Sequence, residues 1–349
     1  MHKIDLEKYN TRTDMITDFI EKNENNIISK TYKNDNVNIT YVKLEDNNPF
    51  NKKKGDYITL EFDDVTDDDS KKEVEKVFKE TLKEFLIDNG FNKNTKTLVV
   101  GLGNQKSTPD SLGSIVCDKT IVTKHLFDMN VDVEDKFSNV SVFKPGVVGT
   151  TGIETSDLIK AVASKTKPDL LIVVDSLSSS SIDRVNKSIQ ISNTGICPGS
   201  GIDNNRKEVS FDTINVPVIV IGVPTVTKAS TIVFDTINYM IKNYVFNKEF
   251  SKKKASKFVH KSINYLKEDV QIDANERKNL LGLVGSLNDE ELMNLIYEVL
   301  TPIGYNLVVT PKEIDFVMEK LSDIVSYGIN RSLHDIWFII ISKSFDNNN

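Results

Sequence analysis

The sequence is poor in the residues that carry several common chemistries. Its 349 residues include two cysteines, Cys117 and Cys197, eighty positions apart, and four histidines, His2, His125, His260 and His334. No CxxC pair and no Cys/His cluster is present, which argues against a zinc site and a disulfide framework and for a reducing, cytoplasmic compartment. Positive charge is not in excess. The formal net charge is −7 and the isoelectric point is near 5.3, so a nucleic-acid binder relying on a basic surface is not expected. No apolar run approaches the roughly 20 residues that span a bilayer. The opening MHKIDLEKYNTRTD lacks the apolar core of a secretory signal. Neither GxxxxGK[ST] nor the GxSxG elbow of a serine hydrolase occurs, and none of the four histidines stands in a triad-like context.

What the chain does have is a set of buried-strand signatures. The segment Thr97 to Gly113, TLVVGLGNQKSTPDSLG, begins with an apolar, β-branched run, breaks at Gly101 and Gly103, and carries Asp110 in the following loop. A second segment, Asp169 to Asp175, DLLIVVD, ends on an acid in the same way. The carboxyl ends of central strands are where open α/β sheets place their chemistry. Val37 to Leu44 and Tyr57 to Phe62 alternate as strands. DDVTDDDS reads as a solvated acidic linker, without the glycine and terminal glutamate of a calcium loop. Ser70 caps an expected amphipathic helix that runs to about Asn89. Val216 to Ile221 is a further buried strand, and Ser230 to about Tyr244 a helix. SLSSSSIDR after Asp175 reads as a serine-rich loop, residues 1 to about 30 as a polar tail or removable leader, and the last third as mostly helical, including Ser256 to Leu266 and a helix near His334 to Ile341.

These features leave several chemistries open. Gly101-x-Gly103 invites a nucleotide-binding α/β module, but Lys106 stands at the third glycine position, and a tight turn accounts for the pair. Cys197 within CPGSG is a conceivable nucleophile in what reads as a turn. Asp110 and Asp175, if close together, cannot both ionise cheaply. One then keeps its proton, and the pair offers a general base and a general acid for hydrolysis by an activated water.

The segments VVGLGNQKSTPDSLG, PGVVGTTGIETSDLI, LLIVVDSLSSSSIDR, QISNTGICPGSGIDNNRKEVS and VIVIGVPTV, in order and spacing, closely resemble the germination proteases of spore-forming bacteria. The resemblance extends over nearly the whole chain. It implies an atypical aspartic endopeptidase of α/β class: a mixed, mostly parallel sheet flanked by helices, similar to the hydrogenase-maturation endopeptidases, with a helical carboxyl-terminal part from about residue 250. It implies catalytic roles for Asp110 and Asp175, with the glycine-rich segments at Gly149 to Gly152 and Gly195 to Gly201 as cleft walls. No metal and no cofactor is implied, because the histidine with which hydrogenase-maturation enzymes read nickel has no convincing counterpart. The implied substrates are small acid-soluble, DNA-coating spore proteins, and the implied assembly is a homotetramer in the forespore or spore core. The implied organisation is a removable propeptide, residues 1–14, ahead of a single protease domain, residues 15–349. Self-cleavage between Asp14 and Met15 fits the family's rule of an acid before the bond and an apolar residue after it, with Asp18–Phe19 as runner-up. Thr11 and Ile16 depart from the family's fuller pattern. A hydrogenase-type maturation endopeptidase and a nucleotide-binding module remain as alternatives.

Overall fold

The apolar runs come together as neighbouring strands of one mixed sheet. The computed structural model describes residues 14–20, 28–50, 52–129, 132–199, 206–252, 272–300 and 307–334. In chain order the elements are α1 (Thr17–Ile20), β1 (Ile28–Asn34), β2 (Val37–Leu44), β3 (Gly55–Glu61), α2 (Asp68–Asp88), β4 (Thr97–Gly101), α3 (Leu112–Lys119), α4 (Lys124–Asp128), β5 (Val140–Phe143), α5 (Val148–Thr151) and α6 (Thr155–Thr166). There follow β6 (Leu170–Ser179), β7 (Ser188–Ser192), α7 (Phe211–Ile214), β8 (Val218–Lys228), α8 (Ala229–Lys252), α9 (Ala274–Leu281), α10 (Asp289–Leu300), β9 (Val308–Val309) and α11 (Ile314–Leu333). The strand order is β1-β2-β3-β7-β8-β6-β4-β5, with β9 pairing to β8. The parallel part is the run β8-β6-β4-β5, and β1, β2, β3, β7 and β9 extend it antiparallel.

The strands of the parallel part are apolar on both faces because helices cover both. On one face Val99, Ile172, Val174, Ile219 and Ile221 pack with α2, α3 and α11. On the other, Leu98, Val100, Leu171, Val173, Val218 and Val220 pack with α6 and α7. Successive residues of a strand face opposite ways, so Asp175 extends the second set. From β4 the chain leaves toward β5 on one side, and β6 lies on the other. The carboxyl ends of β4 and β6 therefore border the crevice at which open α/β sheets bind ligands.

Several expectations are corrected. The serine-rich stretch after Asp175 is strand as far as Ser179, because Ser178 and Ser179 pair with Val226 and Thr227 of β8 across a register shift after Leu177. The expected strand at Val216 to Ile221 likewise runs on to Lys228. The polar amino-terminal region is not all tail: β1 pairs along its length with β2, and residues 14–20 pack against the protein. The cap of α2 is Asp67, whose carboxylate accepts from the Ser70 amide at 2.9 Å, because an acidic side chain there meets the helix's unpaired N–H groups. The expected helices at 256–266 and beyond His334 lie outside the described residues. Within the described residues the carboxyl-terminal part is helical apart from β9, and α11 belongs to the core layer beside α2. Gly328 permits that close approach, since a Cβ there would stand 2.3 Å from the Phe78 ring.

Candidate active site

Asp110 is positioned by glycine. Gly101 and Gly113 lie back to back: a Cβ on Gly101 would meet the Gly113 carbonyl oxygen at 2.1 Å, so α3 packs directly on the end of β4. Gly103 has φ +95° and no room for a side chain, because a Cβ there would stand 2.0 Å from the Asp110 carbonyl oxygen. The GxG pair thus serves close backbone packing and a left-handed turn. The loop N–H that might have met a phosphate instead serves Asp110, whose Oδ2 accepts from the Asn104 amide at 2.8 Å. Thr108, Pro109 and Asp110 form a single 3-10 turn, which is tied to the sheet by a 2.6 Å hydrogen bond from the Thr225 hydroxyl to the Pro109 carbonyl.

Asp175 ends the apolar run of β6 and is 5 % exposed. It accepts from the Ser176 amide at 2.9 Å. Burial, then the nearby charges of Asp110 and Asp14, hold its carboxyl well above the usual carboxylate range. Burial also raises the Asp110 carboxyl, while the Asn104 N–H works in the opposite sense and favours its anion. Both acids line one cavity of about 280 Å³, together with Asp14, Leu177, Cys197 and Thr225. The structure therefore brings together the two acids that the sequence left 65 positions apart.

The third acid in that cavity comes from the amino-terminal segment. The Asp14 amide donates to the Ser178 carbonyl at 3.1 Å, and the Ser178 amide donates back to the Asp14 carboxylate at 3.0 Å. Met15 and Ile16 are fully buried. Ile16 sits among Val42, Leu44, Phe50 and Tyr57, with Phe19 and Ile20 packed alongside. Asp18 is buried too. Its carboxylate meets the Arg184 guanidinium at 2.6 Å and accepts from the Ser180 amide at 2.7 Å, and Arg184 also reaches Glu61 at 2.7 Å. Asp14 also lines a second cavity, of about 360 Å³, that includes Lys52, Gln190 and Glu208.

Not every sequence candidate joins this site. Cys197 borders both cavities, but burial, and after it the Glu208 charge, raises its thiol, whereas a nucleophile needs the thiolate. His334 is buried and accepts the Ser138 amide on Nδ1 at 3.0 Å, a structural role. Ile196, Cys197 and Gly199 do wall the cavity, whereas Gly149 to Gly152 do not. Among the described residues no three His, Cys, Asp or Glu side chains form a cluster able to hold a metal, and no described helix is long and apolar enough to cross a membrane. Ser178, Arg184 and Gln190 were not legible as site residues. Their only signal was position: each lies in or just after a segment flanking Asp175 or the following strand.

The family model for germination protease matches residues 5–338. A germination protease from Bacillus thuringiensis subsp. konkukian is 41 % identical over 350 residues, covering 95 % of each chain. One from Bacillus cereus is 40 % identical over the same length and coverage. Among solved structures, a [NiFe] hydrogenase maturation protease HycI from Thermococcus kodakarensis KOD1 matches at 16 % identity and a TM-score of 0.27, covering 40 % of this chain and 80 % of that one. The match along nearly the whole length, and the extent of identity to the two relatives, place this chain in the germination protease family of peptidases.

Proposed function

We propose that the chain is an aspartic endopeptidase in which Asp110 and Asp175 activate water, and that it is made with an inhibitory leader, residues 1–14, which it removes itself. The observation that carries this reading is the shared cavity: two acids at strand ends and the Asp14 peptide, all around one space. Asp110, whose carboxyl burial raises while the Asn104 amide works in the opposite sense, is the base. It takes a proton from the water that adds to the scissile carbonyl carbon. Asp175, whose carboxyl is raised by burial and its acidic neighbours, gives its proton to the carbonyl oxygen. As the resulting diol collapses, one hydroxyl proton returns to Asp175, and the proton on Asp110 goes to the departing nitrogen. The two acids titrate as one unit.

The docked segment supports Asp14–Met15 as the bond removed. Asp14 lines the cavity of the acid pair, while Asp18 is held by Arg184 and Ser180, away from it. The acid before the bond meets the Ser178 amide, and the apolar residue after it is buried, which supplies a physical basis for that preference. Held there at high effective concentration, the segment blocks the cavity to other peptides. By family, the substrates are small acid-soluble spore proteins in the spore core, and the active assembly is a homotetramer. The nucleotide-binding alternative loses its basis, since the loop N–H of Asn104 is spent on Asp110.

A chain beginning at Met15 should digest a small acid-soluble spore protein, and Asp110→Asn and Asp175→Asn should each lower turnover by a factor of roughly 10²–10⁴ while the circular-dichroism spectrum is unchanged. Near-normal turnover by either folded variant would refute the paired-acid assignment.

A further inference from the structure

The side chain of Gln190 stands out because of what it holds. It lies on β7, 7 % exposed, and its amide spans two backbone groups of the amino-terminal segment. Nε2 donates to the Asp14 carbonyl oxygen at 3.2 Å. Oε1 accepts from the Ile16 amide at 2.7 Å. The two contacts fix the orientation of the amide, because a flipped group would set nitrogen against N–H and oxygen against C=O.

The sheet explains why Gln190 reaches this place. Asp175 of β6 pairs with Gly222 of β8, and Gly222 pairs with Gln190 of β7. Residues in register across a sheet point to the same face, so Asp175 and Gln190 project on one side from opposite flanks of Gly222. Between them Gly222 presents no side chain, and the space over it is taken by Leu177, which would stand 2.3 Å from a Cβ there. Leu177 and Asp14 border both cavities. Asp14 therefore borders both the cavity of the acid pair and the one that Gln190 lines.

The contact pattern has a chemical meaning. In an extended chain the C=O of one residue and the N–H two residues on point the same way. A parallel neighbouring strand satisfies such a pair with the N–H and C=O of a single residue. Gln190 imitates that residue with its side chain. It reads backbone alone and bridges the two peptide groups that flank Met15. The carbonyl it binds is that of the Asp14–Met15 bond.

We propose that Gln190 is a substrate-contacting residue of the self-cleavage reaction: its Nε2–H polarises the Asp14 carbonyl and stabilises the charge developing on the oxygen as the carbon becomes tetrahedral and Asp175 passes its proton to that oxygen, while Oε1 fixes the peptide beyond the bond. This rests on the reading of Asp14–Met15 as the bond cut by the acid pair. Removing one pre-organised donor from a developing oxyanion costs roughly 10²–10³ in rate.

The two halves of the amide separate experimentally. Gln190→Glu keeps an acceptor for the Ile16 amide but loses the donor while its carboxyl is ionised, and regains an O–H donor when protonated. Gln190→Met keeps the length and loses both. Self-cleavage of the full-length chain is followed by intact mass across a pH series, each variant's rate being taken as a ratio to the unaltered protein at the same pH. Hydrogen exchange of residues 14–20 reports whether the segment stays docked. The proposal expects the Gln190→Glu ratio to be depressed about 10²-fold or more at neutral pH with the segment docked, and to recover as pH falls. The Gln190→Met ratio should stay low throughout. A Gln190→Glu ratio near one at neutral pH, or a depressed ratio that does not recover in acid, overturns it. Cleavage of the unaltered chain at a different bond, or undiminished cleavage in Asp175→Asn, refutes the reading beneath it instead, so the two failures are distinguishable.

Discussion

At the scale of the residue, the site is built by placing charge where the fold does not favour it. Asp175 is buried with two other acids nearby, and no cation is among the causes that shift it. A carboxyl whose folded-state pKa is raised stabilises the fold fully below its unfolded pKa, and that contribution is lost as pH rises through the folded pKa. The unaltered protein should therefore lose stability, relative to Asp175→Asn, as pH climbs from the ordinary carboxylate value of 3.8 toward neutrality. Thermal unfolding across that range should give an Asn variant that melts higher at neutral pH and equal to the parent in acid. A variant that melts lower at pH 7 would contradict the buried-acid account. The same stretch shows how far a sequence discloses a site. Asp110 and Asp175 were legible because each follows an apolar strand. Gly101 and Gly103 were ambiguous, since a phosphate loop and a tight turn use the same residue. The short distances from Gly103 to the Asp110 backbone, with the Asn104 N–H spent on Asp110, favour the turn.

At the scale of the element, the informative departure is β6. Its last residues are serines, so no apolar alternation marks them as strand, yet Ser178 and Ser179 are buried. Their polar groups are satisfied by partners remote in sequence: Ser178 by Asp14, and Ser179 by Asp18 at 3.0 Å. A strand end whose polar groups are satisfied from more than 160 positions away cannot be read from local pattern. Those partners make residues 14–20 a docked element, fastened in part by the buried Asp18–Arg184 pair. Breaking a buried ion pair by removing one member typically costs about 3–5 kcal/mol, because the other is left uncompensated. Arg184→Ala should therefore release residues 14–20, seen as lost hydrogen-exchange protection there, and slow self-cleavage at Asp14–Met15. Protection unchanged from the parent would show that the pair is not what holds the segment.

At the scale of the whole molecule, the sheet, its helical layers and the acid pair form one arrangement. The parallel strands bring the ends of β4 and β6 side by side, α3 fixes the Asp110 turn on β4, and the antiparallel extension through β7 supplies Gln190 and the apolar seat for Ile16. The α/β class and the helical carboxyl-terminal part were legible from strand and helix periodicity. The antiparallel extent of the sheet was less so: β1 is polar, with Lys, Thr, Tyr and Asn, and is a strand because it pairs along its whole length with β2. The chemistry proposed is carried by carboxylates and water, so chelators should leave proteolysis unchanged; strong inhibition by EDTA, reversed by one metal, would instead favour a metal-reading maturation protease. The most direct test of the central claim is the intact mass of the full-length chain after incubation, compared with Asp110→Asn and Asp175→Asn under the same conditions. The account predicts loss of residues 1–14 from the unaltered protein and a mass that stays whole in both variants. Loss of those residues from a folded Asp175→Asn chain at the parent's rate would contradict it.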